Sequence, residues 1–456
     1  MTLTSLIERI CNKDVKKIGF FGLGKSNRRI AEILLSEGWC YGFTKRSTKE
    51  DARGEALDIR RSYFGENSLS ELCEDILFLS PSVRRSNELL RTAKNRGCTL
   101  CSDAELFFSS TPKNVLAITG SDGKSTVTYL TSRLTESTLG APPAGNYGLP
   151  LCELIGKSHY KGAAVELSSF QLTYTKPKVS RALITNITEN HLNWHADFEE
   201  YIRAKKNVFE NAELRAIVPD GEVCEGIAKE MHTDILISDR ASAIELNRRY
   251  KPKMTVTREL GCICIDGIPY IPLKAIRCKE DYNILNFMCA IALSHGYSDK
   301  NAVLTLAESF VGLPHRKEIF LKKHGVTYIN SSIDSTPVRT ANTLSTLKAK
   351  AIVIVGGASK GLSYAPLIAA LRKHAKAVIL TGESAPVLLP LLEQNRELSR
   401  CVCLEPDFDR AVELAVKIAD VGDTVILSPS HTSYDRFENF EVRGEHFKKI
   451  IKDITK

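Results

Sequence analysis

Long apolar runs are missing from this chain. No stretch of the 456 residues approaches 18 uninterrupted apolar side chains, so no segment is expected to span a bilayer. The opening MTLTSLIERICNKDVKKIGF carries no basic-then-apolar leader with a small-residue cleavage site, so no secretory signal is read and a cytoplasmic protein is expected. No dense basic run interleaved with aromatics occurs, and Lys plus Arg (62) against Asp plus Glu (54) leaves only a net +8. That excludes no function, but it fits anionic small molecules at least as well as nucleic acid, and no nucleic-acid partner is expected. A disulfide framework is also missing: the 13 cysteines are odd in number and scattered through apolar segments. Cys98 and Cys101 form a CxxC, yet no second pair lies at zinc-ribbon spacing. Cys262 and Cys264, like Cys401 and Cys403, stand two apart, as buried residues on one face of a strand do. Reduced, buried thiols are the expectation. There is no internal repeat and no low-complexity segment.

What is present is the balance of an ordinary globular protein, 43% hydrophobic and 25% charged. At about 100–200 residues per domain the length implies two to four domains. The runs KKIGFFGLG, DILFLS, NVLAITGS, GAAVELSS, RALITNIT, LRAIVPD, AIVIVGG, KAVILTG and DTVILSP read as buried strands. SNRRIAEILLSEG and STVTYLTSRLTES between them carry helical spacing. Strands alternating with helices predict an α/β protein with mostly parallel sheets, and there are too many strands for one sheet. Three blocks are expected, at 1–102, 103–311 and 312–456, with 218–280 as a subsidiary β-rich or irregular insertion in the middle one.

The strongest local signal is a strand, Val115–Ile118, running into Thr119, Gly120, Ser121, Asp122, Gly123, Lys124, Ser125 and Thr126 and then a helix. Glycines let the backbone turn its N–H groups onto phosphate oxygens, the helix N-terminus adds its dipole, and Lys124 adds a full charge. The Ser125 hydroxyl can reach Mg²⁺. Ile118 stands where the usual loop has its first glycine, so this is a shortened Gly-x-x-Gly-Lys-Ser form, and ATP is the expected ligand. Gly22-Leu23-Gly24-Lys25-Ser26-Asn27 is weaker, lacking the third glycine of a dinucleotide fingerprint; it reads either as a pyrophosphate turn or as a plain strand–helix turn. Glu166 ends one strand, while Asn186 and His191 follow another. Strand C-termini in an open α/β sheet face one crevice, so Glu166 is a natural Mg²⁺ ligand there. On pattern alone His191 reads either as a ligand or as a structural histidine.

Together GSDGKST (120–126), GNYGLP (145–150), ELSSFQL (166–172), NITENHLNWH (186–195), YIRAKKNVFENA (201–212), GLPHRKE (312–318) and SPSHTSYDRFENFEVRGEHF (428–447) stand in the order seen in the Mur ligases. The chain resembles that family strongly over 103–456 and loosely before it. ELSSFQL and the C-terminal serine–phenylalanine block resemble the branch that adds D-glutamate. The resemblance implies three domains: an N-terminal Rossmann-like UDP-binding domain, a central P-loop ATPase and a C-terminal Rossmann-like domain that takes the amino acid. It implies an ATP-dependent ligase that joins D-glutamate to UDP-N-acetylmuramoyl-L-alanine through an acyl phosphate. Such an enzyme serves cytoplasmic peptidoglycan precursor synthesis, and hence cell shape and division, as a monomer without membrane partners. The third domain is expected to swing closed on the second.

By the same resemblance Lys124 and Ser125 handle ATP phosphates and Mg²⁺, Glu166 is a Mg²⁺ ligand, and His191 lies at a second Mg²⁺. Lys205 matches a lysine carbamylated by CO₂; read without the family it is a solvated helix position beside Lys206. Arg316 matches an arginine that reaches ATP. Asn146 matches an asparagine near nucleotide and substrate. Gly24, Lys25, Ser26, Thr44 and Ser168 fall at other substrate positions, and Lys360, Ser433 and Phe440 at positions that hold D-glutamate. Read alone, those three are a surface lysine, a turn serine and a core phenylalanine. There are departures. Ser331 stands where an aspartate would hold ribose and Ile333 where a lysine would help hold glutamate; either Asp334 takes over the ribose contact after a local shift or the 330–336 loop binds differently. Asn190 and Asn193 replace aspartates, Asn27 replaces a glycine, and Phe43 precedes Thr44 where an aspartate often meets uracil. Rival readings are a folate-directed sibling ligase, a phosphotransferase, a dinucleotide oxidoreductase resting on Gly22-Leu23-Gly24, and a nonenzymatic binding protein.

Overall fold

The computed structural model describes residues 2–22, 24–39, 74–81, 83–84, 86–189, 194–359 and 362–456. It divides into two compact units, Met1–Phe310 and Val311–Lys456.

The first unit holds two sheets. The smaller is parallel, with β1 (Ile18–Phe21), β2 (Ile76–Leu79) and β3 (Thr99–Cys101) in that order. All four residues of β1 and of β2 are buried, as uninterrupted apolar runs covered on both faces must be. Phe20 and Phe78 stack at 5.6 Å across them, and the helices Leu3–Cys11 and Lys25–Ser36 lay Leu6, Ile7, Ile30 and Leu34 on the same core.

The larger sheet has nine strands: β4 (Val115–Thr119), β5 (Ala144–Gly145), β6 (Ala163–Glu166), β7 (Lys178–Ile184), β8 (Asn211–Ile217), β9 (Ile235–Ser238), β10 (Met254–Glu259), β11 (Cys262–Ile265) and β12 (Ile268–Pro272). Their order is β12-β11-β10-β9-β8-β7-β4-β6-β5. From β5 to β10 every pairing is parallel; β10, β11 and β12 form an antiparallel meander. Leaving β6, the chain crosses over β4 to form β7. The C-terminal end of β4 therefore opens at a switch point of the sheet, where ligands of such folds bind. Residues 218–280 are β-rich, one of the two forms expected, and not an irregular or separate insertion. They supply the helices Gly221–Glu230 and Ala243–Tyr250 and extend the same sheet, because β9 pairs with β8 and continues it.

The second unit has one sheet of six strands: β13 (Glu318–Lys323), β14 (Val326–Asn330), β15 (Ala351–Gly356), β16 (Ala375–Thr381), β17 (Val402–Leu404) and β18 (Thr424–Leu427). The order is β13-β14-β18-β15-β16-β17, parallel except for β13, with an apolar core on each face. The expected α/β class with mostly parallel sheets is the one the chain adopts. The cysteine reading needs one correction. The 11 cysteines among the described residues are free thiols, and Cys264 is buried, but Cys262 and Cys401 are only half-buried and Cys403 is exposed. Cys403 lies on β17, the sheet's three-residue edge strand, with one side unpaired. No helix among the described residues is long and apolar enough to cross a membrane.

Candidate active site

The loop after β4 is built for close approach. Gly120 has φ 148° and Gly123 φ 81°, both conformations that favour glycine. A Cβ on Gly120 would collide with the Thr185 hydroxyl, and one on Gly123 with the Asn286 carboxamide. Residues following β7 hold the loop in place. The Thr185 hydroxyl donates to the Asp122 carbonyl at 2.6 Å, and Asn186 accepts the Asp122 N–H at 2.9 Å. The Ser121 hydroxyl lies 3.0 Å from the Thr188 carbonyl and 2.9 Å from the Tyr201 hydroxyl. Gly123 gives the helix Lys124–Leu134 no side-chain cap, which suits an N-terminus meant for an anion. The Lys124 ammonium arches over the loop, donating to the carbonyls of Gly120 at 2.9 Å and Ser121 at 2.8 Å. Ser125 is buried beneath it, and Thr126 is half-buried on the same first turn.

Glu166 ends β6 with only 1% of its surface exposed. Asn146 meets it twice: the Asn146 side chain donates to Oε1 at 2.7 Å, and its N–H donates to the Glu166 carbonyl at 2.9 Å. Oε2 is buried with no hydrogen-bond partner among the described residues. A lone buried carboxylate oxygen is costly, and it matches the donor an oxygen-seeking cation requires. Ser168 spends its hydroxyl locally, in a capping box with Gln171 at the head of the short helix Ser169–Leu172.

Lys205 is not on a solvated helix face. On the helix Phe198–Lys206 it is 1% exposed, its ammonium donates to the Gly120 carbonyl at 2.6 Å, and it lies 4.6 Å from the Tyr201 ring centroid. Burial, and after it the charge of Lys124, hold its pKa well below the usual lysine value, against the pull of Glu166 and Asp122. Lys124, Glu166 and Lys205 thus share one neighbourhood around Gly120. His191, Asn190 and Asn193 lie outside the described residues. Just after them, Trp194 packs on Phe170 at 4.5 Å, and buried His195 places Nε2 3.0 Å from the Ser169 hydroxyl.

At the first glycine turn, Gly24 precedes the helix Lys25–Ser36 as its N-cap. The Lys25 ammonium donates to the Gly148 carbonyl at 2.8 Å, and the Ser26 hydroxyl bonds Asp103. Asn27 turns inward, donating to the carbonyls of Gly22 at 2.7 Å and Phe78 at 3.3 Å. That ties the turn to β2, a job glycine could not do. Phe43 and Thr44 lie outside the described residues.

In the second unit, half-buried Arg316 sits between His315 (φ 62°) and Lys317 (φ 48°), two left-handed residues that fix a sharp turn. His315 meets the Asn330 side chain at 2.9 Å, and its ring stands edge-on to Phe440 at 6.0 Å. Ser433 is buried, and its carbonyl takes the N–H groups of Arg436 and Phe437. Lys360 lies outside the described residues. The Ser331 hydroxyl accepts the Lys317 N–H at 3.1 Å. Asp334 is 5% exposed, and burial raises its pKa against hydroxyl bonds from Ser331, Ser428 and Thr343. Buried and engaged with these hydroxyls, the carboxylate faces inward, so a ribose contact would require the local shift.

Two sets of residues escaped the sequence reading. Asn283 and Asn286 are buried on the largely apolar helix Asp281–Ser294, and the Asn286 carboxamide lies against Gly123. Two amides one turn apart in DYNILNFMCAIALS were the available signal. Arg443, 2% exposed, donates to Ser332 Oγ and to the carbonyls of Ser332, Thr432 and His431 at 2.9–3.1 Å. It braces the loops after β14 and β18. The hint was a lone arginine in register with Phe447 and Ile451 on the buried face of the last helix.

Comparison with known proteins completes the picture. The Mur ligase middle domain matches residues 118–294, and the Mur ligase glutamate ligase domain matches 315–431. The chain is 33% identical to a UDP-N-acetylmuramoylalanine--D-glutamate ligase of Acetivibrio thermocellus, covering 96% of this chain and 97% of that one. It is 34% identical to the same-named ligase of Ruminiclostridium cellulolyticum, covering 97% and 98%. Among solved structures, the UDP-N-acetylmuramate-alanine ligase MurC of Thermotoga maritima shares the fold at a TM-score of 0.59 and 18% identity, over 96% of this chain and 99% of that one. A pseudomurein peptide ligase type C from Methanothermus fervidus does so at 0.52 and 18%, over 96% and 100%.

Proposed function

The chain belongs to the Mur ligase family, and on that premise we propose that it joins D-glutamate to UDP-N-acetylmuramoyl-L-alanine at the expense of ATP, in cytoplasmic peptidoglycan precursor synthesis. Amide formation from a carboxylate is uphill, so the acid must be activated. The γ-phosphoryl group passes to the L-alanine carboxylate, the D-glutamate amine attacks the acyl phosphate, and phosphate leaves. The enzyme acts as a monomer, with residues to about 102 taking the UDP moiety, 103–311 taking ATP and 312–456 taking the amino acid.

The observation that carries the reading is full-length likeness to D-glutamate ligases combined with the gathering of Lys124, Glu166 and Lys205 around one phosphate loop. Lys124 neutralises charge on the transferring phosphoryl oxygens once it leaves the loop carbonyls. Glu166 Oε2 and the Ser125 hydroxyl are oxygen donors of the kind Mg²⁺ takes, and His191 serves a second Mg²⁺. When bound, Mg²⁺ stabilises negative charge on the phosphoryl group. Lys205 in its neutral form attacks CO₂: an N–C bond forms, one proton leaves, and a buried neutral amine becomes an anionic oxygen donor. Arg316 serves ATP; Asn146, Ser168, Gly24, Lys25, Ser26 and Thr44 serve the nucleotide-sugar substrate; Lys360, Ser433 and Phe440 serve D-glutamate.

The test is ADP and amide formation from ATP and UDP-N-acetylmuramoyl-L-alanine, with D-glutamate compared against L-glutamate, D-aspartate and lysine, and a folate as alternative acceptor. D-glutamate alone should support both products. ADP without an amide, or preference for the folate, would reject the assignment.

A further inference from the structure

Asp103 is a carboxylate for which the reaction above has no use. It opens the helix Asp103–Ser109, yet that helix is already capped by the reciprocal bonds of Ser102 and Glu105. Only 2% exposed, Asp103 turns away to accept the N–H of Leu151 at 2.9 Å and of Cys152 at 2.8 Å, one on each oxygen. The Ser26 hydroxyl is a further partner. Leu151 and Cys152 begin the 3₁₀ turn Leu151–Leu154, directly after the loop GNYGLP. Had Asp103 only capped that turn, the contact with Ser26 would be superfluous.

Two parallel links follow the same line. Lys25 reaches the Gly148 carbonyl at 2.8 Å, and Arg29 pairs with Glu153. The helix Lys25–Ser36 is thereby fastened to segment 148–153 at three points. The other end of that segment is tight. A Cβ on Gly148 would meet the Pro143 carbonyl and one on Gly145 the Glu166 carbonyl, and Asn146 holds Glu166 by two bonds. A short loop gripped at both ends transmits displacement in place of absorbing it.

We propose that Asp103 is a positioning residue for the ligation, a buried strut that fixes the glycine turn of Gly24–Ser26 in register with the Asn146–Glu166 pair, so that an acceptor bound at the turn presents its carboxylate to the phosphate loop. The proposal rests on the functional reading above. Holding acceptor and phosphorus in register is worth orders of magnitude in rate, so a small shift in the loop is felt at the chemistry.

The test uses the full chain with Asp103→Asn, which keeps the shape but accepts at one atom only. The Michaelis constant for the UDP-linked acceptor should rise roughly tenfold and kcat fall several-fold, while that for ATP stays within about twofold. Amide exchange at 145–152 should accelerate. Glu153→Gln, at a partly exposed site, should move the acceptor constant in the same direction by less, and it decides the matter if Asp103→Asn does not fold. A folded Asp103→Asn with a lower melting temperature but unchanged acceptor constant and kcat overturns the strut, as does equal weakening of acceptor and ATP. Should the wild type form no amide, the functional reading fails instead. Amide exchange needs no turnover, and unchanged exchange at 145–152 would then overturn the strut on its own.

Discussion

Asn146 binds one oxygen of Glu166 at 2.7 Å and leaves the other, Oε2, buried without a partner among the described residues. An unsatisfied buried acceptor costs about 1–3 kcal/mol, more when charged, and a folded protein keeps such a cost where function requires it. Glu166→Gln removes the charge and keeps the shape. We expect ADP formation to fall by roughly 100-fold or more with the melting temperature unchanged or raised, because a buried charge disappears. Steady-state turnover and a thermal melt check this together, and wild-type turnover would remove Glu166 from the reaction.

Lys205 makes a prediction about gas. Its amine is held toward the neutral form by burial and by Lys124, and only a neutral amine takes up CO₂. Activity should drop reversibly when the enzyme is stripped of CO₂ and bicarbonate, more so at lower pH, and return when bicarbonate is added. Lys205→Ala should be inactive and partly rescued by short carboxylic acids, which supply the missing oxygens. Full activity of that variant without additive would end the carbamate assignment.

How much of this was legible beforehand follows from the range of each interaction. The strands could be read because each is a run of apolar residues buried on both faces, and that is a local property. The phosphate loop could be read because glycines, lysine and serine lie within one turn. Lys205 was ambiguous because burial is not a local property: Lys206, its neighbour, faces outward and pairs with Glu230. Asp103 was invisible because its partners Leu151 and Cys152 lie 48 and 49 positions away along the chain, and for Arg443 the helical register hinted at burial but not at Ser332, 111 positions away. The family resemblance assigned roles to residues that match its motifs, but it carried no account of Asp103, and Asp334, offered as a substitute for a missing aspartate, turned out to face inward.

That inward carboxylate sets a pH dependence. Burial raises the pKa of Asp334 above the usual 3.8, so between 3.8 and the raised value the folded state binds more protons than the unfolded state. Its contribution to stability therefore falls as pH rises through that window. Asp334→Asn removes the titration while keeping an acceptor for the Ser428 hydroxyl. The variant should gain melting temperature relative to wild type as pH climbs above about 4, and the gain should level off once Asp334 is ionised. A difference that does not change with pH would show that the carboxylate is solvated.

The last prediction joins two lysines. Lys124 donates to the carbonyls of Gly120 and Ser121, and Lys205 also donates to Gly120, so the two side chains share one acceptor. Removing Lys124 should abolish ATP-dependent amide formation and leave the fold intact, since no apolar core depends on its side chain. It should also act on Lys205. Without the Lys124 charge the Lys205 amine is easier to protonate, which removes the form that takes up CO₂. A carbamate on Lys205 would then lack the cation nearest to it, so both effects lower carbamate occupancy. Lys124→Met loaded with ¹³C-labelled bicarbonate should accordingly give a weaker carbamate signal by NMR than wild type at the same pH. An undiminished signal would separate the two lysines, leaving the phosphate loop and the carbamate site electrostatically independent.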